Sequence, residues 1–131
     1  RVAYHNHWWE MTVLDGRLAY DELLRLAPNL KGELDVYWAS NFGAQNAAAI
    51  CARHKARLPL LHIKDGPLVK DQPHTAVGAG RMDIPACVAA ADPKTLEWLI
   101  VELDACATDM MTAVRESYIY LTGRGLGRGR K

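Results

Sequence analysis

Four side chains that can bind a metal ion or transfer a proton stand at the ends of short apolar runs in this chain of 131 residues. They are His5, Asp35, His62 and Glu102. Each lies in or beside a segment rich in the branched and aromatic residues that favour β-strands. Two imidazoles and two carboxylates supply nitrogen and oxygen ligands and two negative charges, which suits a divalent cation. These residue types therefore indicate one shared metal site, provided that the fold brings the four segments together.

Each of these residues also has an ordinary structural interpretation. Asp35 could be the acid of a turn or of a helix cap, and His62 a hydrogen-bonded histidine of the core. Glu102 could be a polar residue at the rim of the fold. Because the four residues are far apart in the sequence, their spacing does not choose between these interpretations and a metal site.

The elements that must position these side chains alternate between strand and helix patterns. Strands are predicted at 1–7, 33–38, 58–63 and 96–103, and helices at 20–26, 44–54, 84–91 and 109–121. Such alternation predicts a parallel sheet with right-handed crossovers. Since ligands collect at the carboxyl ends of parallel strands, the four candidate ligands are expected at one end of the sheet. Four β-α units make either half of an eight-unit barrel or a small open sheet.

Two later segments carry further predictions. Residues 66–82 contain several prolines and glycines and are predicted to form a long loop, of the kind that is usually functional or mobile. The last predicted helix has apolar side chains at helical spacing, which we interpret as its buried face. These are Met110, Met111, Val114, Tyr118 and Leu121.

Composition limits the class of protein. The 16 basic and 15 acidic side chains give no overall field for nucleic acid or an anionic membrane surface, so a small-molecule partner is expected. Three cysteines without a C-x-x-C pair indicate buried thiols in a reducing compartment. No apolar run is long enough to span a bilayer and no signal-peptide pattern is found, which predicts a cytoplasmic protein.

Five blocks of the sequence resemble the second half of sugar phosphate isomerase/epimerase proteins, the xylose-isomerase-like TIM barrels. They follow the order of the family and extend to about residue 121. The resemblance implies one half-barrel of four β-α units over 1–122, and the Gly/Arg-rich composition of 123–131 predicts a flexible tail. The blocks are Tyr4-His5-Asn6-His7 with Glu10, Glu33-Leu34-Asp35-Val36-Tyr37-Trp38, Leu60-Leu61-His62-Ile63-Lys64-Asp65, Val77-Gly78-Ala79-Gly80 with Asp83, and Ile100-Val101-Glu102.

The resemblance also implies a chemistry. Members of the family hold a divalent metal at the ends of the last four strands, which here places manganese, cobalt, zinc or magnesium on His5, Asp35, His62 and Glu102. In these proteins the metal polarises the carbonyl and hydroxyl of a keto sugar or polyol while a carboxylate moves a proton on the adjacent carbon. Glu102 would be both ligand and base. His7 and Lys64 are candidates for a second proton-transfer group.

Two departures from the family pattern widen the range of reactions. Many epimerases have a glutamate where this chain has His5, and relatives often have a glutamate where it has Ala79. The pair of carboxylates that suits two-sided proton exchange is therefore incomplete. Isomerisation with one base, dehydration by a lyase mechanism, or loss of activity would all fit this arrangement.

The resemblance covers only the second half of the family's barrel, so we expect the chain to lack the upstream four units. A half-barrel would leave two strand edges and an apolar face exposed. We therefore expect a homodimer in which two copies close an eight-stranded barrel. The alternative is a non-catalytic, self-associating half-barrel or a truncated fragment with a vestigial metal site.

Overall fold

The computed structural model describes residues 2–129, so Arg1 and residues 130–131, which belong to the predicted first strand and tail, lie outside it. Three short 3-10 segments at Trp9–Met11, Asn41–Gly43 and Lys55–Arg57 accompany the regular elements. The strands are β1 (Ala3–His5), β2 (Val13–Leu14), β3 (Arg17–Leu18), β4 (Lys31–Asp35), β5 (Leu60–Ile63) and β6 (Trp98–Val101). The helices are α1 (Ala19–Leu26), α2 (Val36–Ala39), α3 (Ala47–His54), α4 (Ile84–Ala90) and α5 (Met110–Gly123).

The main sheet has four parallel strands in the order β1-β4-β5-β6. This is also their order along the chain, and helices connect consecutive strands. The predicted parallel α/β architecture of four β-α units is therefore confirmed. None of the helices within residues 2–129 has the length and apolar character needed to cross a membrane.

The two faces of the main sheet have different roles. Leu34, Leu61 and Ile63 point to the face that the helices cover and are fully buried in the hydrophobic core. Strand alternation places Glu33, Asp35 and His62 on the opposite face. Its polar side chains lie near the carboxyl ends of the strands.

Helices α3 and α4 pack against each other beside this core. Asn46 begins α3 by accepting a hydrogen bond from the N–H of Ala49 at 3.0 Å. Cys51 of α3 and Cys87 of α4 are buried free thiols, as the sequence predicts, whereas Cys106 is partly exposed.

The second predicted strand ends earlier than its sequence suggests. Residues 36–38 are rich in strand-favouring side chains, but they begin the single turn of α2 instead. Asp35 is the N-cap of this turn, and its Oδ1 accepts a hydrogen bond from the N–H of Trp38 at 2.9 Å. A capping aspartate thus overrides the strand propensity of the residues after it.

A short hairpin, β2-β3, was not predicted. Asp15 and Gly16 form its turn with φ values of 49° and 80°. An Asp-Gly pair between apolar residues is a known signal for a two-residue hairpin turn. The sequence therefore contained this signal, although the strands on either side are only two residues long.

Helix α5 presents a different face to the core from the one predicted. Ala113, Ser117 and Leu121 are buried, whereas Met111 is 74% exposed and Tyr118 is 52% exposed. Met110 and Val114 are exposed too. The prediction was wrong for all of these apolar residues except Leu121. Small residues at 113 and 117 let the helix approach the fold closely, and the Ser117 hydroxyl also accepts a hydrogen bond from Val77 N–H at 2.9 Å.

The chain after α5 turns back towards the sheet. The N–H of Leu126 donates to the carbonyl of Leu121 at 2.9 Å, and the Leu126 side chain packs against the core. Part of the predicted tail is thus in contact with the domain.

The predicted loop at 66–82 contains no helix or strand, and one buried carboxylate organises it. Asp65 follows β5 directly and is 1% exposed. Its two carboxylate oxygens accept four backbone hydrogen bonds of 2.8–3.1 Å from this loop. The donors are the N–H groups of Gly66, Gly78, Gly80 and Met82.

Replacing Gly78 by alanine is expected to lower the free energy of unfolding by about 3 kcal/mol. Gly78 has a φ of 90°, and a Cβ there would lie 2.2 Å from the ring of Tyr120 in α5. Gly43 is a matched control, because its φ is 92° but a Cβ would meet nothing within 4 Å. Gly43→Ala should therefore lose only about 1 kcal/mol of backbone strain. Equal losses in urea unfolding would show that contact with Tyr120 does not matter.

Candidate metal centre

The four predicted ligands come together at the carboxyl ends of the main strands. His5 ends β1, Asp35 ends β4, His62 lies in β5, and Glu102 follows β6. One nitrogen or oxygen atom from each residue lies within 4.8 Å of the other three. The parallel sheet therefore gathers side chains that are up to 97 residues apart in the sequence.

The two carboxylate oxygens of Asp35 have different partners. While Oδ1 caps α2, Oδ2 lies 3.1 Å from Lys64 Nζ, 3.3 Å from His5 Nε2 and 3.8 Å from His62 Nδ1. Asp35 is fully buried. Asp35 is therefore a helix cap, and this role is compatible with the site interpretation because the two involve different oxygens.

Asp35 is held in its ionised form. Burial by itself would raise the pKa of this carboxyl, but the nearby imidazoles of His5 and His62 and the charge of Lys64 lower the pKa by more. The net result is a pKa well below the usual range for aspartate. A buried carboxylate in this form can act as a ligand for a cation.

Both ring nitrogens of His62 face carboxylates. Nε2 lies 2.9 Å from Glu33 Oε1, and Nδ1 lies 3.0 Å from Glu102 Oε2. Burial lowers the pKa of His62, but the carboxylates of Asp35, Glu102 and Glu33 raise it by more, so the net direction is upward. Glu33 therefore fixes the orientation of the ring, as a carboxylate commonly does for a histidine that binds metal.

One buried atom of this histidine lacks a hydrogen-bonding partner. Among residues 2–129, His62 Nδ1 makes no hydrogen bond of acceptable geometry, although Glu102 Oε2 is close to it. Buried polar atoms are seldom left without a partner, so such an atom needs an explanation. A cation between the imidazole and the two ligand carboxylates would satisfy it, and the residues present fit such a cation.

Lys64 is a buried cation enclosed by carboxylates. Its side chain is completely buried, and its Nζ lies 2.8 Å from Glu102 Oε2 and 2.9 Å from Asp104 Oδ2 in addition to its contact with Asp35. Burial alone would lower the pKa of Lys64. The three carboxylates have the larger effect, so the net pKa lies above the ordinary value for lysine. Lys64 is therefore a cation at neutral pH that can donate hydrogen bonds but cannot act as a base.

The remaining predicted site residue, His7, lies beside the cluster of ligands rather than within it. Its ring stacks on His5 with 5.1 Å between ring centroids, and on Trp9 with 4.4 Å. The backbone N–H of His7 donates to Glu10 Oε2 at 2.7 Å, and the Tyr4 hydroxyl donates to Glu10 Oε1 at 2.6 Å. Glu10 thus fixes the segment that carries both histidines.

Asn6 is a positioning residue that the sequence did not reveal. It is fully buried, and its Oδ1 accepts a hydrogen bond from Asp35 N–H at 2.9 Å. Its Nδ2 lies 3.3 Å from the Asp35 carbonyl, to which it donates. Asn6 therefore joins the end of β1 to the end of β4, which holds Asp35 by its backbone. An asparagine between two histidines gives no signal of a partner 29 residues away.

Replacing Asn6 by alanine is expected to weaken Mn²⁺ binding by about 10-fold to 100-fold, as for other residues that orient a ligand. The physical reason is that Asp35 would lose both bonds that fix its backbone. Asn46→Ala is the matched control, since Asn46 caps α3 away from the site. It should lower stability by about 1 kcal/mol without changing Mn²⁺ affinity. Calorimetric titration would decide this, and equal affinities for the two variants would contradict the assigned role.

Aromatic side chains form a cavity beside the cluster of ligands. Trp8, Trp38 and Phe42 line it together with His74 and Asp104, and its volume is about 290 Å³. The ring of Trp38 lies 5.1 Å from that of Trp8, and its centroid is 5.1 Å from Lys64 Nζ. The cavity therefore adjoins the charged cluster through Trp38 and Asp104.

A parallel sheet of four β-α units with polar side chains at its carboxyl end defines this chain as an α/β protein with the fold of half a barrel. Two solved structures share that fold over 96% of the chain, and both are sugar phosphate isomerase/epimerase proteins from Parabacteroides distasonis ATCC 8503. Their TM-scores are 0.70 and 0.73, with sequence identities of 26% and 23%. No family model and no curated protein matches the sequence.

The match covers only part of these two proteins. This chain corresponds to 46% of each of them, so it spans about half of their length. The predicted half-barrel fold is confirmed by this coverage together with the parallel order of the strands.

Proposed function

We propose that this chain binds a divalent metal through His5, Asp35, His62 and Glu102 and acts on a keto sugar or polyol as an isomerase, epimerase or lyase. The observation that carries the proposal is the convergence of four ligand atoms within 4.8 Å at the carboxyl end of the sheet. The likeness to sugar phosphate isomerase/epimerase structures supports the choice of substrate class and of family.

The local charge supports a cation at this position. Four carboxylates lie in or beside the cluster: Glu33 contacts His62, and Asp35, Glu102 and Asp104 share the buried cation Lys64. Mixed imidazole and carboxylate ligands suit manganese, cobalt and zinc, and they permit magnesium. When bound, such a metal supplies a Lewis acid that polarises a carbonyl or hydroxyl oxygen.

Glu102 is the residue that we assign as the base. Its side chain is 38% exposed, whereas that of Asp35 is completely buried and already bonded to Trp38 and Lys64. Glu102 is therefore the ligand carboxylate that a substrate can reach from solvent. It would accept the proton from the carbon next to the substrate carbonyl.

Two other residues can supply or hold a proton on the substrate. Lys64 remains protonated and lies 2.8 Å from Glu102, so it can donate to a developing oxyanion. His7 lies beside the site, where its ring stacks on that of His5. With one reachable ligand carboxylate and no glutamate at position 5, the arrangement favours reactions that use a single base over two-sided epimerisation.

The aromatic cavity is the proposed place for the rest of the substrate. Flat rings of Trp8 and Trp38 can pack against the C–H face of a sugar, while Asp104 and His74 can bind its hydroxyl groups. This combination of apolar faces and polar groups fits a polyhydroxylated ligand better than a wholly apolar one.

The test has two stages on the purified chain. Calorimetric titration with Mn²⁺, Co²⁺, Zn²⁺ and Mg²⁺ should give one bound ion per chain. The metal-loaded chain, incubated with keto sugars in D₂O, should then incorporate deuterium at the carbon next to the carbonyl, as measured by NMR. Glu102→Gln should abolish this exchange, and absence of metal binding by the wild type would contradict the proposal.

The second candidate function is a non-catalytic half-barrel with a vestigial metal site. The observation that favours it is that the chain spans only 46% of the isomerase/epimerase structures. Metal binding without any deuterium incorporation across the panel of sugars would select this alternative.

A further inference from the structure

Backbone strain is concentrated in the two segments that line the aromatic cavity. Within residues 2–129, five residues other than glycine have a positive φ, and four of them lie between α2 and α3 or between β5 and α4. These four are Asn41 (45°), Phe42 (55°), Leu68 (58°) and Asp71 (61°), and the fifth is Asp15 in the β2-β3 turn. Asparagine and aspartate tolerate this conformation, but bulky residues such as Phe42 and Leu68 seldom adopt it. Their strain therefore needs an explanation.

The turn around Phe42 holds this residue in the left-handed region. The carbonyl of Ser40 accepts hydrogen bonds from the N–H groups of Gly43 at 3.0 Å and Gln45 at 2.8 Å. These bonds close a tight turn in which residues 41–43 all have a positive φ. Glycine at position 42 would adopt this conformation freely, whereas a residue with a Cβ is strained there. Strained residues of this kind are found mainly at sites that bind a ligand.

The ring of Phe42 forms part of the cavity wall together with two tryptophans. Its centroid lies 6.0 Å from that of Trp8 and 5.9 Å from that of Trp38. Trp8 follows β1, and Trp38 and Phe42 follow β4. The rest of the lining comes from 69–74 after β5 and 104–105 after β6. Segments that follow all four main strands therefore build this cavity, beside the metal centre rather than at an edge of the sheet.

We propose that Phe42 is a specificity-determining residue, whose ring packs against the C–H face of a carbohydrate bound in this cavity. The inference rests on the proposed function, because it concerns the part of the substrate that is remote from the metal. Trp38 connects the cavity to the metal centre, since its ring centroid is 5.1 Å from Lys64 Nζ. A keto sugar whose carbonyl lies at the metal would thus extend its remaining carbons towards the three rings.

The strained turn provides a reason for this ring to bind well. A side chain that becomes ordered only on binding loses conformational freedom at that moment, which lowers the affinity. The turn at 40–45 fixes the backbone of Phe42 in advance, so this loss occurs on folding instead. Leucine is also apolar but has no flat face, and aromatic rings contribute more than their buried area alone. The ring at position 42, rather than its apolar character, should therefore determine the affinity.

A comparison of alanine and glycine at position 42 tests the strain. Both variants lack the ring, so their difference in stability reports the backbone. Where the backbone permits it, alanine is more stable than glycine, but Phe42→Gly should unfold at a higher urea concentration than Phe42→Ala. Asp15→Gly should likewise be more stable than Asp15→Ala, because Asp15 has a φ of 49°. The reverse order at position 42 would show an unstrained backbone and would overturn the inference.

Titration of the Mn²⁺-loaded chain with D-fructose and D-sorbitol, a keto sugar and a polyol, tests the role of the ring. Tryptophan fluorescence reports binding, since Trp8 and Trp38 line the cavity. Phe42→Leu should weaken the binding of at least one probe by about 5-fold, whereas Phe42→Tyr should bind it as the wild type does. Asp15→Gly is the matched control, because Asp15 lies in the β2-β3 turn, and it should keep the wild-type affinity. Circular dichroism verifies that each variant is folded.

The outcomes separate this inference from the proposed function. If the wild type exchanges deuterium but Phe42→Leu binds the probes as tightly as Phe42→Tyr, the role of Phe42 is wrong and the proposed function stands. If binding depends on the ring but the wild type exchanges no deuterium, the inference stands and the proposed activity is wrong. A chain that binds no Mn²⁺ is titrated without metal, with the same expected order of affinities. A wild type whose fluorescence responds to neither probe overturns the inference.

Discussion

Replacing Asp35 by asparagine is expected to weaken Mn²⁺ binding by more than about 100-fold, because the loss of a ligand should exceed the 10-fold to 100-fold effect of outer residues. The substitution preserves the shape of the side chain. The amide oxygen can still accept the hydrogen bond from Trp38 N–H, so α2 keeps its cap. The amide nitrogen would take the place of Oδ2, which faces His5, His62 and Lys64. Metal binding should therefore be lost from a chain that remains folded.

Calorimetric titration measures the affinity, and thermal unfolding monitored by circular dichroism verifies the fold. Lys64 should stay in place in the variant, because Glu102 and Asp104 remain 2.8 and 2.9 Å from its Nζ. Asp21→Asn is the matched control, since Asp21 pairs with Arg53 and His54 away from the cluster. An Asp35→Asn chain that bound Mn²⁺ as tightly as the Asp21→Asn chain would show that Asp35 is not a ligand.

The Asp65→Ala chain should be less stable than the wild type by at least about 4 kcal/mol, taking the lower limit of about 1 kcal/mol for each of four unpaired donors. Asp65 accepts hydrogen bonds from four backbone N–H groups, and all four belong to the segment between β5 and α4. Alanine would leave these donors without a partner and would remove the group that holds the segment in shape. Urea unfolding followed by circular dichroism measures the loss.

Asp83→Ala provides the comparison for this prediction. Asp83 is an exposed aspartate at the end of the same segment, and it accepts one hydrogen bond, from Ala86 N–H at 3.0 Å. Loss of this helix cap should lower stability by about 1 kcal/mol. If Asp65→Ala were no more destabilising than Asp83→Ala, the loop would have another source of order.

The order of strands and helices could be predicted because it depends on local patterns. Leu61 and Ile63 illustrate this, since a strand covered by helices needs apolar residues on its covered face. The proximity of His5, Asp35, His62 and Glu102 followed from a general property of parallel sheets, which bring the carboxyl ends of their strands together.

The supporting contacts could not be predicted because they join residues that are distant in the sequence. Asn6 bonds to Asp35, and Lys64 contacts Asp104, across 29 and 40 residues respectively. No periodic pattern relates such residues. They are polar groups that become neighbours only when the strands are in register.

The face of α5 was mispredicted for a different physical reason. Helical periodicity identifies apolar positions but not what the helix packs against. In a helix surrounded by a complete fold, Met111 and Tyr118 would normally be covered. Here α5 lies at the edge of the sheet, so its small residues Ala113 and Ser117 face the core, and its large apolar residues remain outside.

The identity between strand order in space and strand order in the chain bears on how the domain is assembled during synthesis. Each main strand pairs with the one that precedes it in the sequence, so a newly made β-α unit always finds its neighbour already available. The sheet can grow by adding one unit at a time, and no strand must wait for a distant later segment before it can pair. Folding of this kind keeps the loops that close at each step short, which limits the entropy lost before contacts form. The sheet can therefore grow in the same direction as the chain is synthesised, from β1 towards β6.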